Sequence, residues 1–231
     1  MKRLVLFDID GTLLTADGAP RRAFHRAMLE VYGTAGPIAT HRFDGKTDPQ
    51  IARELLAVAG LPDAAVTNGL PVLWRTYLRE LGSELARPSH RTTVLPGIFP
   101  LLDDLDRRRD DVVLGLLTGN IQHGAALKLG SAGIRHEFRV GAFGSDCEHR
   151  DGLPPVAVDR AREITGVGFT RSDIVIIGDT PSDVTCGRAL GARAIGVATG
   201  RFGPVELREA GAAAVFADLT DTAAVVDTIL C

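Results

Sequence analysis

Two carboxylates one residue apart, Asp8 and Asp10, follow an apolar run at the start of the chain. Residues 4–7 are Leu, Val, Leu and Phe, which is typical of a strand buried on both faces of a parallel sheet. Ligands of such sheets bind beyond the carboxyl ends of the strands. Two carboxylates placed there repel each other unless a cation lies between them. The pattern therefore predicts a site for a hard divalent ion such as Mg²⁺, with a simple acidic Asp-Gly turn as the alternative.

A second pair of carboxylates follows another apolar run far along the chain. Residues 174–177 are Ile, Val, Ile and Ile, and Gly178 and Asp179 come next. Pro181 suits the first turn of a helix, which places Asp183 near the N-terminus of that helix. We therefore expect Asp179 and Asp183 to face the space beyond this strand end.

A third apolar run, residues 112–117, leads into Thr118, Gly119 and Asn120. A hydroxyl, a glycine and an amide at a strand-to-helix junction offer donors to a phosphate, together with the N–H groups of the following helix. Thr-Gly-Asn alone is equally typical of a plain turn, and Asn120 equally suits the cap of that helix. The combination of three strand ends, with Asp-x-Asp, Thr-Gly-Asn and Gly-Asp-x-x-x-Asp in this order, is much more specific than any one of these motifs alone.

With these three motifs the chain resembles the haloacid dehalogenase superfamily of hydrolases, and within it the phosphoglycolate phosphatase-like branch. The resemblance spans essentially the whole chain. In that family the first Asp of Asp-x-Asp-Gly-Thr is the nucleophile and the second is the general acid/base, which implies these roles for Asp8 and Asp10. It also implies that Thr118 binds the transferring phosphoryl group and that Asp179 and Asp183 close the metal site.

The activity that the resemblance implies is the Mg²⁺-dependent hydrolysis of a small phosphorylated metabolite through a phosphorylated Asp8. The metal would be bound by Asp8, Asp179 and the backbone carbonyl of Asp10, with Asp183 in the same site. A carboxylate nucleophile needs no deprotonation at neutral pH. Asp10 would protonate the leaving alcohol and then activate the water that hydrolyses the aspartyl-phosphate.

One position departs from the family, which usually has a lysine just before the helix that leads to the last acidic motif. The lysines of this chain are Lys2, Lys46 and Lys128. Lys128 lies ten residues beyond Thr118, so at ~1.5 Å of helix per residue we expect it roughly 15 Å from the phosphate end. We therefore predict that Arg150 supplies the missing charge from a loop, where its replacement by Ala costs little stability; a solvated loop arginine is the alternative. The predicted phosphate-binding residues are then Thr118, Gly119, Asn120 and Arg150.

The order of strand and helix patterns predicts an α/β fold. Apolar runs alternate with helical patterns, which indicates βαβ units and a Rossmann-like parallel sheet covered on both faces. From the resemblance we expect the Asp8 strand at the centre, between the strands that end at Thr118 and Asp179. Residues 1–14 and 94–231 would form this core domain, and residues 15–93, which carry helical patterns, an inserted helical cap domain over the site.

A short segment of the predicted cap, Gly45, Lys46 and Thr47, precedes a helical pattern. Thr47 or Asp48 would cap that helix. Because similar Gly-x-Thr-Asp segments occur in capped members of this branch, the alternative is that Gly45, Lys46 and Thr47 contact the substrate, with Lys46 binding an anion.

Composition sets limits on the partners. A formal net charge of −3 gives no reason to expect nucleic acid or a membrane surface as a partner. The cysteines Cys147, Cys186 and Cys231 have no paired spacing, which favours a reducing compartment and a cytoplasmic location. The apolar run that ends at Asp8 is too short for a signal peptide or a membrane span. The sequence does not indicate an oligomeric state.

Other activities can be weighed against a phosphatase by residue type. Asp10 argues against a dehalogenase, which transfers no proton to an alcohol, and against a phosphonate-cleaving relative. A phosphosugar mutase of the same fold shares every catalytic residue named above, and differs in whether the cap keeps water from the aspartyl-phosphate. A catalytically silent protein that binds phosphate or a partner is the alternative from a different class.

Overall fold

A parallel sheet positions the predicted site, as seen in a computed structural model that describes residues 2–231. The strands of the described residues are β1 (Arg3–Phe7), β2 (Leu14–Thr15), β3 (Thr93–Val94), β4 (Val112–Thr118), β5 (Val140–Phe143), β6 (Ile174–Gly178), β7 (Arg193–Val197) and β8 (Ala214–Phe216). Six of them form one sheet in the order β5-β4-β1-β6-β7-β8, with every neighbouring pair parallel. The predicted α/β fold, with the Asp8 strand between the other two site strands, is confirmed.

Helices cover both faces of this sheet. The helices of the described residues are α1 (Ala19–Tyr32), α2 (Asp48–Val58), α3 (Asp63–Leu85), α4 (Ile98–Arg107), α5 (Gln122–Ser131), α6 (Leu153–Thr165), α7 (Pro181–Cys186), α8 (Pro204–Glu209) and α9 (Thr222–Leu230). Val5 and Phe7 of β1 belong to a cluster with α4 and α9, whereas Leu4 and Leu6 belong to a cluster with α6. Both faces of β1 are therefore apolar, which explains its unbroken hydrophobic sequence.

No helix among residues 2–231 has the length and apolarity needed to cross a membrane.

Two local features differ from expectation. The sequence pattern predicts a helix over residues 182–190, but α7 ends at Cys186, and a separate 3-10 turn follows at Arg188–Leu190. Gly187, a poor helix former, separates the two segments, and a Cβ there would lie 2.5 Å from Ile176 Cδ1. The antiparallel ribbon of β2 and β3 was not predicted, since two residues per strand leave no readable pattern.

The helices α1, α2 and α3 form a separate layer beside the carboxyl ends of the strands. They share a hydrophobic cluster around the buried rings of Phe24 and Tyr77, which pack edge to face with centroids 5.1 Å apart. The chain enters this layer after β2 and leaves it before β3, and these two strands pair with each other. The division into a core and a cap at residues 15 and 93 stays our proposal.

Candidate active site

Three buried carboxylates lie together at the carboxyl end of the sheet. Asp8 follows β1, Asp179 follows β6, and Asp183 lies in the first turn of α7. One carboxylate oxygen from each lies within 4.8 Å of the others, and each residue is at most 5% exposed. The parallel arrangement of β1 and β6 brings these positions together although they are far apart in sequence.

Local hydrogen bonds fix the acidic residues of the second strand end. Thr180 caps α7 and exchanges hydrogen bonds with Asp183, whose Oδ2 accepts from the Thr180 N–H at 3.0 Å and from its hydroxyl at 2.7 Å. The Thr12 hydroxyl donates to Asp179 Oδ1 at 3.2 Å. Gly11 has a φ of 84°, which favours glycine. A Cβ at this position would collide with the Asp179 carboxylate, which occupies that space.

Arg150 lies within this cluster of carboxylates. Its Nη2 donates to Asp8 Oδ1 at 3.0 Å and to the Leu117 carbonyl at 3.3 Å, and it also pairs with Asp183. This geometry is consistent with the predicted position in the site. The alternative of a solvated loop arginine is wrong, because Arg150 is 7% exposed and begins a 3-10 turn ahead of α6. Its Nε is also buried and has no hydrogen-bond partner among residues 2–231.

The charges of the cluster suit a divalent cation. Burial, with the negative charges of Asp183 and Asp10, outweighs the Arg150 guanidinium and raises the pKa of Asp8 to about 7. Burial together with Asp183 and Asp8 raises the pKa of Asp179 to about 8. One guanidinium therefore does not balance three carboxylates, and a cation bound by oxygens of Asp8, Asp179 and Asp183 would remove the repulsion. The donor set, all hard oxygens, fits Mg²⁺.

Asp10 lies in a second group of polar side chains at the end of β4. The Asn120 amide donates to Asp10 Oδ2 at 2.8 Å and to the Thr118 hydroxyl at 2.7 Å. Lys128 Nζ lies 2.8 Å from Asp10 Oδ1, 2.7 Å from Asp10 Oδ2 and 2.5 Å from Asn120 Oδ1. Asn120 therefore contacts Asp10 and does not cap α5, whose N-cap position is Ile121.

The expected distance of Lys128 from the site was wrong. Helix α5 begins at Gln122, so Lys128 lies less than two turns into it, and helical side chains point back toward the N-terminus. The long side chain thus extends to the strand ends. The signal in the sequence is that Lys128 lies seven residues after Ile121 and three after Ala125, on the face that α5 buries.

The site side chains described above, except Asp183 and Thr12, border one cavity of about 340 Å³ between the sheet and the helices α1–α3. Of the cap segment predicted to contact substrate, Gly45 and Lys46 line the cavity, and Lys46 pairs with Glu54. Thr47 instead caps α2 by accepting from the Gln50 N–H at 3.2 Å, and its hydroxyl donates to the Glu148 carbonyl. The volume suits a small metabolite.

Comparison with known proteins identifies the family of this fold and site. The family model described as haloacid dehalogenase-like hydrolase matches residues 5–197. The chain belongs to the haloacid dehalogenase-like hydrolase family. A phosphoglycolate phosphatase of Xylella fastidiosa is 31% identical over 191 residues, which cover 82% of this chain and 77% of that protein. A phosphoglycolate phosphatase of Pseudomonas syringae pv. tomato is 27% identical over 226 residues, which cover 95% of this chain and 78% of the relative.

A solved structure supports the same fold assignment. The crystal structure of a hydrolase from Pseudomonas syringae superposes with a TM-score of 0.73 at 20% sequence identity, covering all of both chains. Membership of the haloacid dehalogenase-like hydrolases makes this protein an enzyme, and confirms the family that the three motifs indicated.

In this hydrolase the helical layer contacts the core directly at the mouth of the site. The Asp48 N–H donates to the Gly119 carbonyl at 2.8 Å, and the Asp48 carboxylate accepts from the Ile121 N–H at 2.8 Å. Arg53 Nε, in α2, lies 2.7 Å from Glu148 Oε2. A Cβ at Gly119 would collide with the Lys46 carbonyl. These contacts between α2 and the core depend on how the two layers meet, and no sequence pattern predicts them.

Proposed function

We propose that this enzyme is a Mg²⁺-dependent phosphatase that hydrolyses a small phosphorylated metabolite through an aspartyl-phosphate on Asp8. The observation that carries the proposal is the buried group of Asp8, Asp179 and Asp183 around the Arg150 guanidinium. Asp10 and Thr118 border the same small cavity. The phosphoglycolate phosphatases among its relatives support the same class of substrate.

The first step is attack of an Asp8 carboxylate oxygen on the phosphorus of the substrate, with departure of the alcohol. Asp10 protonates the departing oxygen, so no alkoxide is released. The Arg150 guanidinium and the Thr118 hydroxyl, with the Gly119 N–H, bind the phosphoryl oxygens, on which negative charge is concentrated.

The second step is attack of water on the phosphorus of the aspartyl-phosphate, which releases inorganic phosphate and restores Asp8. Asp10, now a carboxylate, takes the proton of that water. Mg²⁺ bound by Asp8, Asp179 and the Asp10 carbonyl, with Asp183 beside them, would supply positive charge to the phosphoryl oxygens and keep Asp8 ionised.

A panel of small phosphate esters tests this function. The panel contains phosphoglycolate, sugar phosphates, nucleotides and an aryl phosphate, each with and without Mg²⁺, and inorganic phosphate is measured. We expect phosphate release that requires Mg²⁺. Isomerised sugar phosphate without phosphate release would identify a mutase. Binding of esters with no turnover of the aryl phosphate would identify a catalytically silent protein.

Replacing Asp10 by Asn is expected to slow the first step most for esters with poor leaving groups. An aryl oxide leaves without protonation, whereas an alkoxide needs the proton of Asp10. For alkyl phosphates we expect the rate of alcohol release to fall on the order of 10²–10⁴-fold. The measurement is the single-turnover rate across a series of leaving groups of graded pKa, and an equal loss for all members would contradict the acid role.

Mg²⁺ is expected to raise the unfolding temperature more at about pH 8 than at about pH 5. Asp8 and Asp179 have pKa values raised from 3.8 to about 7 and about 8, so the metal-free fold binds protons that the unfolded chain does not. This extra proton binding stabilises the metal-free fold. The stabilisation is complete below the ordinary carboxyl pKa of 3.8 and is lost as the pH rises through about 7 to 8. Mg²⁺ competes with these protons at low pH and not at high pH. Thermal unfolding with and without Mg²⁺ at both pH values measures the effect.

The variant Asp179→Asn should reduce the thermal shift with Mg²⁺ at about pH 8 and weaken Mg²⁺ binding by at least roughly tenfold. Asp146→Asn is the matched control, because Asp146 also follows a strand of the sheet, the edge strand β5, but pairs with Arg160 at 2.7 Å. Unchanged Mg²⁺ titration curves in Asp179→Asn, or equal losses in both variants, would show that the ion lies elsewhere.

A further inference from the structure

Lys128 is a buried cation to which the mechanism above gives no role. Its side chain is 4% exposed and lies behind Asp10, whose side chain is 43% exposed. Both oxygens of the Asp10 carboxylate lie within 2.8 Å of Lys128 Nζ. A buried ammonium is costly unless it is paired and hydrogen bonded, and Asp10 and Asn120 provide this pairing.

The contacts of Lys128 restrict the orientation of Asp10. The Asn120 amide oxygen accepts from Lys128 at 2.5 Å, while its nitrogen donates to Asp10 Oδ2 at 2.8 Å. The same nitrogen lies 2.7 Å from the hydroxyl of Thr118. Asp10 is thus contacted from behind by two side chains that are themselves buried, and the open side of its carboxylate faces the cavity.

The helical layer completes the surroundings of Lys128. Asp48, buried at the start of α2, hydrogen bonds to the N-terminus of α5 and lies within the electrostatic influence of Lys128. Burial raises the pKa of Asp48 to about 6, and the positive charge of Lys128 acts in the opposite direction. The cation of α5 therefore interacts with one carboxylate of the core and one of the cap.

We propose that Lys128 is a positioning residue that acts through Asp10: from α5, with Asn120, it holds the Asp10 carboxylate in the orientation that reaches the leaving oxygen. The inference rests on the proposed acid/base role of Asp10. A role confined to stability would leave the dependence on the leaving group unchanged.

A double-mutant cycle distinguishes the two roles. Lys128→Met retains length and removes the charge, and Asp10→Asn removes the group on which Lys128 acts. With an alkyl phosphate we expect Lys128→Met to reduce the single-turnover rate of alcohol release on the order of 10²-fold, and with an aryl phosphate by less than about tenfold. In the Asp10→Asn background the same substitution should have almost no further effect on the rate of alcohol release. Lys128→Arg should recover part of the alkyl phosphate activity.

Lys46→Met is the matched control, because it removes the same charge from the cap side of the cavity. We expect Lys46→Met to change KM and to leave the dependence of the alcohol-release rate on the leaving group unaltered. Equal losses in the rate of alcohol release from alkyl and aryl phosphates in Lys128→Met, additive losses in the double variant, or the same leaving-group effect in Lys46→Met would each overturn the proposal. Lys128→Gln, which keeps hydrogen-bonding capacity without charge, is measured in the same way if Lys128→Met does not fold.

A structural measurement separates failure of this inference from failure of the proposed function. If the parent enzyme hydrolyses no phosphate ester, the proposed phosphatase function fails, whereas crystal structures of the parent and Lys128→Gln still test the positioning. A displaced Asp10 carboxylate in the variant supports the inference. An Asp10 carboxylate that keeps its place without the Lys128 charge overturns it.

Discussion

Replacing Asp8 by Asn is expected to lower kcat by on the order of 10⁴-fold or more for every ester that the enzyme hydrolyses. The amide retains the shape of the carboxylate but is not a competent nucleophile. The loss should be independent of the leaving group, since Asp8 forms the new bond whichever alcohol departs. Steady-state rates of phosphate release measure it, with protein purified away from any host phosphatase.

The fold of the Asp8→Asn variant should remain intact. Because burial raises the pKa of Asp8 to about 7, the ionised carboxylate opposes folding at higher pH, and the neutral amide removes that cost. We therefore expect the metal-free variant to unfold at the same temperature as the parent or higher at about pH 8. Asp146→Asn, a neutralised carboxylate outside the site, controls for the change in net charge. Turnover of Asp8→Asn near the parent rate would eliminate the covalent mechanism.

The second large effect is expected for Arg150→Ala, which should lower kcat on the order of 10²-fold or more. Arg150 is the cation nearest to the nucleophile, and it contacts Asp8 and Asp183. Its removal leaves two buried carboxylates without their counterion, so we also expect a loss of roughly 3–5 kcal/mol in the free energy of unfolding of the metal-free protein. Chemical denaturation and steady-state kinetics measure the two losses separately.

Arg150→Lys should recover part of the lost kcat and part of the lost free energy of unfolding, because lysine restores the charge but not the planar set of donors. Arg160→Ala is the matched control: Arg160 also pairs with a carboxylate, Asp146, but its side chain is 40% exposed and outside the cavity. We expect that control to change stability by less than about 1 kcal/mol, as for an exposed ion pair. Full activity of a folded Arg150→Ala would show that the oxyanion is bound by other groups.

The part of the site that could be predicted from sequence is the part that lies at strand ends. Asp8, Thr118 and Asp179 each follow directly after an apolar run, and parallel strands bring their carboxyl ends to one edge of a sheet. The positions of these residues therefore follow from the order of the strands. Arg150 was found through the missing family lysine, but its burial was not, because its ion-pair partners belong to other segments of the chain.

The contacts that could not be predicted depend on side-chain direction or on the seating of the helical layer. The rise along the helix axis predicts a Lys128 far from the phosphate end, but a helical side chain points back toward the helix N-terminus, and Lys128 Nζ therefore reaches Asp10. Asp48 was a candidate helix cap, yet Thr47 has that role in α2, and Asp48 contacts the start of α5 across the interface. Such a contact between layers has no signature in a local sequence pattern.

Phosphorylation of Asp8 itself is the most direct test of the proposed mechanism. The variant Asp10→Asn is mixed with an aryl phosphate and Mg²⁺, because an aryl oxide leaves without the acid whereas hydrolysis of the aspartyl-phosphate still needs the base. The reaction is quenched in acid, and the peptides are analysed by mass spectrometry. We predict one phosphoryl group per enzyme, located on Asp8. Release of inorganic phosphate by this variant with no phosphoryl group on Asp8 at any quench time would contradict the account.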